Sequence, residues 1–349
     1  MKRFWKFLFI GILVLAVVLV AAVSLTIGWR PFTGPRARAL TERKFEPTPE
    51  RLARGRYLAN AVTGCMFCHS THDWQVPGAP IMEGRLGAGD VFPVEGLPGK
   101  VTAPNLTPDP ETGAGGWSDD QLGRAIREGI GHDGRSLFPL MPYDNFRSLP
   151  DEDLASLVVY LRSLPAVRNP LPKTEIIFPV KYLIRSVPKP LTAPVPAKNF
   201  TDSVKRGEYL VHISSCSHCH TPQERGQRNP ELDLAGGLEM KGPFGTVTTA
   251  NITPDPSGIS YYNETTFIQA MRTGKVGARE LNPIMPWSAM RNMTDDDLKA
   301  IFAYLRTVKP VHHRVDNTLA PTPCKVCKGR HGGGRSELAG LSVLKCNPD

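Results

Sequence analysis

Cys65-Met66-Phe67-Cys68-His69 and Cys216-Ser217-His218-Cys219-His220 are two copies of one pentapeptide, CxxCH. This spacing is an attachment signature for a c-type haem: two thiols reach the haem vinyl groups, and the histidine after the second cysteine lies over the ring as an axial iron ligand. Seven cysteines and nine histidines in 349 residues are too few for two such coincidences. A CxxC disulfide, redox pair or zinc half-site beside an incidental histidine is the competing reading. The expectation is two covalently bound haem c groups, on Cys65, Cys68 and His69 and on Cys216, Cys219 and His220.

The sequence around the motifs repeats in order. Arg54-Gly55-Arg56-Tyr57-Leu58 matches Arg206-Gly207-Glu208-Tyr209-Leu210, and Asn105-Leu106-Thr107-Pro108-Asp109-Pro110 matches Asn251-Ile252-Thr253-Pro254-Asp255-Pro256. Leu140-Met141-Pro142-Tyr143 matches Ile284-Met285-Pro286-Trp287, and Tyr160-Leu161-Arg162 matches Tyr304-Leu305-Arg306. Four blocks at offsets of 144 to 152 describe a duplicated domain. The spacing predicts a first helix with Thr48 as N-cap and Pro49 at N1, running toward Cys65. Ser118 and Gln121 form a capping box that opens a middle helix ending near Gly129. The last helix of each copy aligns Leu154, Leu157, Val158 and Leu161, or Leu298, Ile301, Phe302 and Leu305, on one face. Few stretches alternate like strands, so the expected class is all-α.

An electron carrier fills the sixth iron position, and methionine there raises the potential. Met141 and Met285 sit in register, each in Met-Pro before the last helix of its copy, with proline fixing the adjacent backbone. They are the expected distal ligands; Met82 and Met240 are the competitors. Asp119-Asp120 and Asp295-Asp296-Asp297 stand at helix starts, where the dipole favours negative charge, and no catalytic carboxylate pair or nucleophile stands out.

These blocks together resemble the membrane-bound cytochrome c subunits of periplasmic alcohol, aldehyde and gluconate dehydrogenases. The resemblance covers Arg54 to Val167 and Arg206 to Val311. It implies the cytochrome c fold, His/Met ligation at the positions above, and relay of electrons from a dehydrogenase toward a quinone- or oxidase-linked acceptor. That family commonly carries three complete haem domains, and two are complete here. A general dihaem cytochrome c serving another respiratory complex remains open, as does a dihaem enzyme, a peroxidase or thiol- or sulfur-oxidising cytochrome, with one open iron.

The rest of the chain sets the compartment. Lys2, Arg3 and Lys6 precede an apolar run from Phe7 to Ile27, long enough to cross a bilayer. An uncleaved anchor is expected within residues 1–30; a cleaved signal ending near Ala22-Val23-Ser24 is the alternative. The haem domains then lie outside the bacterial cytoplasmic membrane, in the periplasm or beyond the cell. The net charge of +9 suits an acidic redox partner or anionic lipid, and the scattered basic residues argue against nucleic acid. The boundaries are 48–168 for the first domain, 169–199 for a proline-rich linker, 200–312 for the second and 313–349 for an irregular tail. Within the linker, the apolar segment Ile176 to Ile184 is expected to pack across a domain surface. In the tail, Cys324-Lys325-Val326-Cys327-Lys328 begins a third motif with lysine in place of histidine. Cys324, Cys327, His331 and Cys346 fit zinc by ligand type; a disulfide or a lysine-ligated haem are the other readings.

Overall fold

A computed structural model describes residues 2–224, 226–315, 322–323 and 330–331. Helix α1 (Lys2–Leu25) buries none of its side chains and is apolar from Phe7 to Val23. It is the one helix among the described residues long and apolar enough, by length and composition, to cross a membrane. The short α2 (Arg30–Thr33) follows it.

In the first repeat, α3 (Pro49–Tyr57) starts as expected, with the Thr48 hydroxyl accepting from Arg51 N at 3.3 Å. It leads into α4 (Cys65–Cys68), which carries the first CxxCH. Helix α5 (Asp119–Glu128) has the full Ser118/Gln121 capping box and stops at the left-handed Gly129. The short α6 (Tyr143–Phe146) follows Met141-Pro142, and α7 (Asp151–Arg162) closes the unit. Beyond the linker, which contains α8 (Val180–Leu183), the pattern recurs as α9 (Ser203–Ile213), α10 (Cys216–His220), α11 (Glu264–Thr273), α12 (Trp287–Met290) and α13 (Asp295–Leu305). Thr294 caps α13 by accepting from Asp297 N at 3.2 Å.

The first and last helices of each repeat cross at a glycine. A Cβ on Gly55 would lie 1.9 Å from the Ser156 carbonyl oxygen, and one on Gly207 would lie 1.9 Å from that of Ala300. Glycine in the Arg-Gly-x-Tyr-Leu block therefore lets two helix backbones touch. This crossing buries the predicted apolar faces of α7 and α13 in one continuous core shared by both repeats.

Two expectations are corrected. The fold is helix-rich but not all-α: short two-stranded antiparallel ladders are present, the longest pairing Glu239–Gly242 with Gly245–Thr248. The long loops between helices carry backbone groups that no helix satisfies, and local ladders pair some of them. The linker segment packs only in part. Glu175–Ile176 pairs with Gly99–Lys100 of the first repeat, yet Ile177 and Phe178 point to the outside.

One detail follows from counting. Arg54 to Cys65 is one residue longer than Arg206 to Cys216. The extra residue is absorbed as a π-helical turn, Leu58–Val62, while α9 stays regular.

The repeats meet around a local pseudo-two-fold. Tyr57 donates its hydroxyl to Asp297 of the other repeat in a short hydrogen bond and accepts from Thr294 N at 3.1 Å. Its counterpart Tyr209 is buried beside Asp153, with no hydrogen bond of ordinary geometry. Each aspartate is also held by the arginine of its own repeat, Arg54 to Asp153 at 2.8 Å and Arg206 to Asp297 at 2.6 Å.

The aspartates at the start of α5 do more than complement a helix dipole. Asp119 accepts from Phe45 N and from Arg162, and Asp120 accepts from Arg38 at 2.6 and 2.7 Å and from Thr41 N. Burial pushes the Asp120 carboxyl up, but the hydrogen bonds and charge of Arg38 outweigh it and leave it at about 2, below its ordinary 3.8. A depressed carboxylate contributes stability above its unfolded value and loses it as pH falls through the folded one. The stability difference between wild type and Arg38→Met should therefore shrink as pH is lowered from about 4 toward 2, read from denaturant titrations at each pH. Gly207→Ala should force α9 and α13 apart and cost about 3 kcal/mol, read as a lowered denaturant midpoint; an unchanged midpoint refutes the crossing.

Candidate functional site

Each CxxCH helix is entered through a left-handed residue, Gly64 (φ 65°) before Cys65 and Ser215 (φ 60°) before Cys216. Serine tolerates this conformation poorly, and Ser215 is held from the other repeat. The Asn145 amide donates to the Ser215 hydroxyl at 3.2 Å and to the His212 carbonyl at 2.9 Å.

The two histidines that end the motifs are oriented alike. His69 Nδ1 donates to the Pro104 carbonyl at 2.8 Å, and His220 Nδ1 donates to the Ala250 carbonyl at 2.7 Å. A carbonyl only accepts, so the proton sits on Nδ1 and the Nε2 lone pair is free for a metal. Burial lowers the pKa of both rings and keeps them neutral, the form that ligates.

The orienting carbonyls stand directly before the repeated asparagines. Asn105 Oδ1 accepts from Thr107 N at 2.9 Å and from Thr107 Oγ1 at 2.7 Å, while its amide donates to the Val167 carbonyl at 2.7 Å. Asn251 repeats this with Thr253 N at 2.9 Å, Thr253 Oγ1 at 2.8 Å and the Val311 carbonyl at 2.9 Å. The Asn-x-Thr block is thus a buried clamp that fixes the loop behind each histidine and ties it to the segment after the last helix. Residue types alone mark it as a turn; its tie to the histidines is a tertiary fact.

Met141 and Met285 are also held alike. Met141 N donates to the Phe138 carbonyl at 3.1 Å and Tyr143 N to the Met141 carbonyl at 2.8 Å. Met285 N donates to the Asn282 carbonyl at 3.0 Å and Trp287 N to the Met285 carbonyl at 2.7 Å. Both methionines are half-buried against the core. Of the competitors, Met82 is exposed and Met240 belongs to the strand Glu239–Gly242.

The donor set fits a haem c. Burial pushes the thiols up, Cys68 and Cys216 to about 12 and Cys219 to about 11. Neutral sulfur, as in a thioether, suits this apolar setting better than thiolate. Tyr143 and Trp287, one residue past each Met-Pro, leave the Tyr143 hydroxyl and the Trp287 Nε1 buried without a partner among the described residues. Such donors suit the carboxylates that a haem carries. Asn145 of the first repeat bonds Ser215 at the entry of the second motif, so that motif lies against the interface between the repeats.

Two other histidines pack. His72 bridges the Phe67 and Ala79 carbonyls, and His132 stacks on Trp117 with centroids 4.3 Å apart. Burial, with Arg228 and His212 nearby, lowers His218 to about 4. Cys324, Cys327 and Cys346 lie outside the described residues, as does the side chain of His331. Among the described residues no group of three or more His, Cys, Asp or Glu could hold a metal ion.

Sequence matches to known proteins point to the same family of sites. Residues 204–309 match the family model for cytochrome c. The second repeat is a cytochrome c domain. A cytochrome c domain carries covalently bound haem c. The chain is 32% identical over 281 residues to the fructose dehydrogenase cytochrome subunit of Gluconobacter japonicus, covering 75% of this chain and 54% of that one. It is 28% identical over 277 residues to the cytochrome c subunit of the quinone alcohol dehydrogenase of Gluconacetobacter polyoxogenes, covering 74% and 56%. A diheme cytochrome c-type protein of Cereibacter sphaeroides is 28% identical over 257 residues, covering 71% and 83%. The chain thus spans about half the length of the curated dehydrogenase subunits it matches. The resemblance to cytochrome c subunits of dehydrogenases, drawn from the repeated blocks, holds.

Asn251→Ala should strand the Thr253 amide, loosen the hold on its hydroxyl and cost about 2 kcal/mol; the check is a denaturant titration beside Asn229→Ala, a cap of a short turn, which should change little.

Proposed function

We propose that this chain is a membrane-anchored dihaem c-type cytochrome. It passes single electrons from a periplasmic dehydrogenase, or another donor, to a quinone- or oxidase-linked acceptor of the respiratory chain. Haem c supplies the one-electron iron couple. His69 and His220 present neutral Nε2 atoms, Met141 and Met285 present thioether sulfurs, and Cys65, Cys68, Cys216 and Cys219 hold the ring edges.

The observation that carries this reading is the identical fastening of histidine and methionine in both repeats. A substrate-binding iron in one repeat would need that repeat to lack its methionine turn, and both turns have the same hydrogen bonds. The contact of Asn145 with Ser215 at the second motif supports transfer between the two groups, since electrons move best between close partners. Helix α1 supports attachment to the bacterial cytoplasmic membrane, with both repeats on the periplasmic side. The names of the relatives, cytochrome subunits of fructose and alcohol dehydrogenases, support a dehydrogenase as donor.

Carbon monoxide binding to the dithionite-reduced, detergent-purified protein tests the reading. Wild type should show no spectral change. Met141→Ala and Met285→Ala should each bind about one equivalent, because each opens one iron. Binding by the wild type would instead favour a dihaem enzyme with one open site.

A further inference from the structure

Several of the large apolar side chains that this fold leaves exposed lie in two neighbouring segments. Beyond the end of α1, Trp29 and Phe32 on the α2 segment and Ile177, Phe178 and Leu183 around α8 are exposed, Phe178 to 76% and Phe32 to 62%. The two segments are far apart in sequence and touch in space. Arg185 donates to the Pro31 carbonyl at 3.0 Å, and the Trp29 indole donates back to Ser24 at the end of α1 at 3.1 Å.

This patch is held in place. Ile177 N donates to the Pro98 carbonyl at 3.0 Å, directly after the ladder that ties Glu175–Ile176 to the first repeat. From the other side, Arg38 fastens the segment after α2 to Asp120 and Glu128, at 2.6 and 2.8 Å. The fold therefore orders a set of apolar side chains and points them outward. Burial of apolar side chains is favourable in proportion to the area removed from water, so an ordered, uncovered patch calls for an occupant.

Charge and composition identify the occupant. Residues 26–41 and 176–201 contain no Asp or Glu, while Arg30, Arg36 and Lys181 lie in them. Lys181 and Arg185 sit over the Tyr182 ring, 5.1 and 4.6 Å from its centroid. Trp, Tyr and Phe beside acid-free basic segments is the composition of a bilayer interface. The patch also continues directly from the end of the one helix built to cross a bilayer.

We propose that α2 and α8 form a second membrane contact. Trp29, Phe32, Ile177, Phe178 and Leu183 enter the headgroup–acyl boundary on the side where α1 emerges, and Arg30, Arg36 and Lys181 meet the phosphates of anionic lipid. This rests on the reading of α1 as an anchor. It makes the first repeat a body seated on the membrane, with a fixed face toward its redox partners, in place of one swinging on a tether.

The test uses the full-length holoprotein reconstituted in phosphatidylcholine vesicles with and without phosphatidylglycerol, each containing a phospholipid with a diazirine on its acyl chain. After irradiation and proteolysis, mass spectrometry maps the lipid adducts. The expected result is adducts on α1 and also on the peptides containing Phe32 and Phe178, the latter increasing with phosphatidylglycerol. In the Phe178→Asp, Leu183→Asp double variant the Phe178-peptide adduct should fall at least about fivefold, with α1 adducts unchanged. Adducts on α1 alone in the wild type would overturn the proposal, leave the anchor intact and turn the patch into a protein-facing surface. Adducts on neither would overturn the anchor reading and this proposal with it.

Discussion

The contact of two helix backbones at Gly55 and Ser156, and again at Gly207 and Ala300, is the constraint from which the rest of this fold follows. A helix that must lie that close to another has its direction fixed, and the CxxCH motif sits at its far end. The crossing thus places the cysteines and the histidine before any cofactor is considered. It also sets the start of the last helix, and there Asp153 and Asp297 receive both the arginine of their own repeat and the tyrosine side of the other. One packing constraint, used twice, fixes both sites and the surface between them.

From that frame the site is built by local hydrogen bonds that work on the histidines at one remove. The imidazole is turned by a backbone carbonyl, the carbonyl's loop is fixed by Asn105 or Asn251, and that asparagine is tied to the chain leaving the last helix. Fastening the ligand through its second nitrogen sets its tautomer and its direction together. The methionine side is fastened through backbone amides on both flanks of the sulfur-bearing residue, where proline narrows the conformations available. The positions of these histidines and methionines are therefore fixed by the protein's own hydrogen bonds.

Much of this could be read from residues alone because it is local. Thr48, Ser118 and Thr294 announce their helices through bonds three residues long, and the apolar spacing of α7 and α13 reports a buried face wherever that face is pressed. Repetition made the methionines legible, since two Met-Pro turns in register say more than either alone. What could not be read is what joins distant segments. Nothing in Asp120 reveals Arg38, nothing in Tyr57 reveals Asp297, and the apolar run around Phe178 carries the same pattern whether it faces a protein or a membrane. Even the π-turn at Leu58–Val62 is countable as one extra residue only once the repeats are aligned; that it is taken up there, and not in a loop, is decided by the helix crossing before it and the cysteine after it.

The duplicated units have diverged where they touch. Tyr57 closes a hydrogen bond to Asp297 while Tyr209 stops short of one with Asp153. Gly64 takes the left-handed turn unaided, while Ser215 takes it with help from Asn145 across the interface. Inside the motifs, Phe67 lies in an aromatic cluster with His72 and Trp74 at centroid distances of 5.0 and 6.3 Å, whereas its counterpart His218 is half-buried beside Arg228 and Asn145. Under the proposed ligation, equal ligands in unequal surroundings would give unequal potentials, because polarity and hydrogen bonding next to a haem tune its iron as axial ligands do. Two groups at the same potential would only share an electron; a difference between them gives its passage a direction. The same divergence that makes the interface asymmetric is what a relay built by duplication requires.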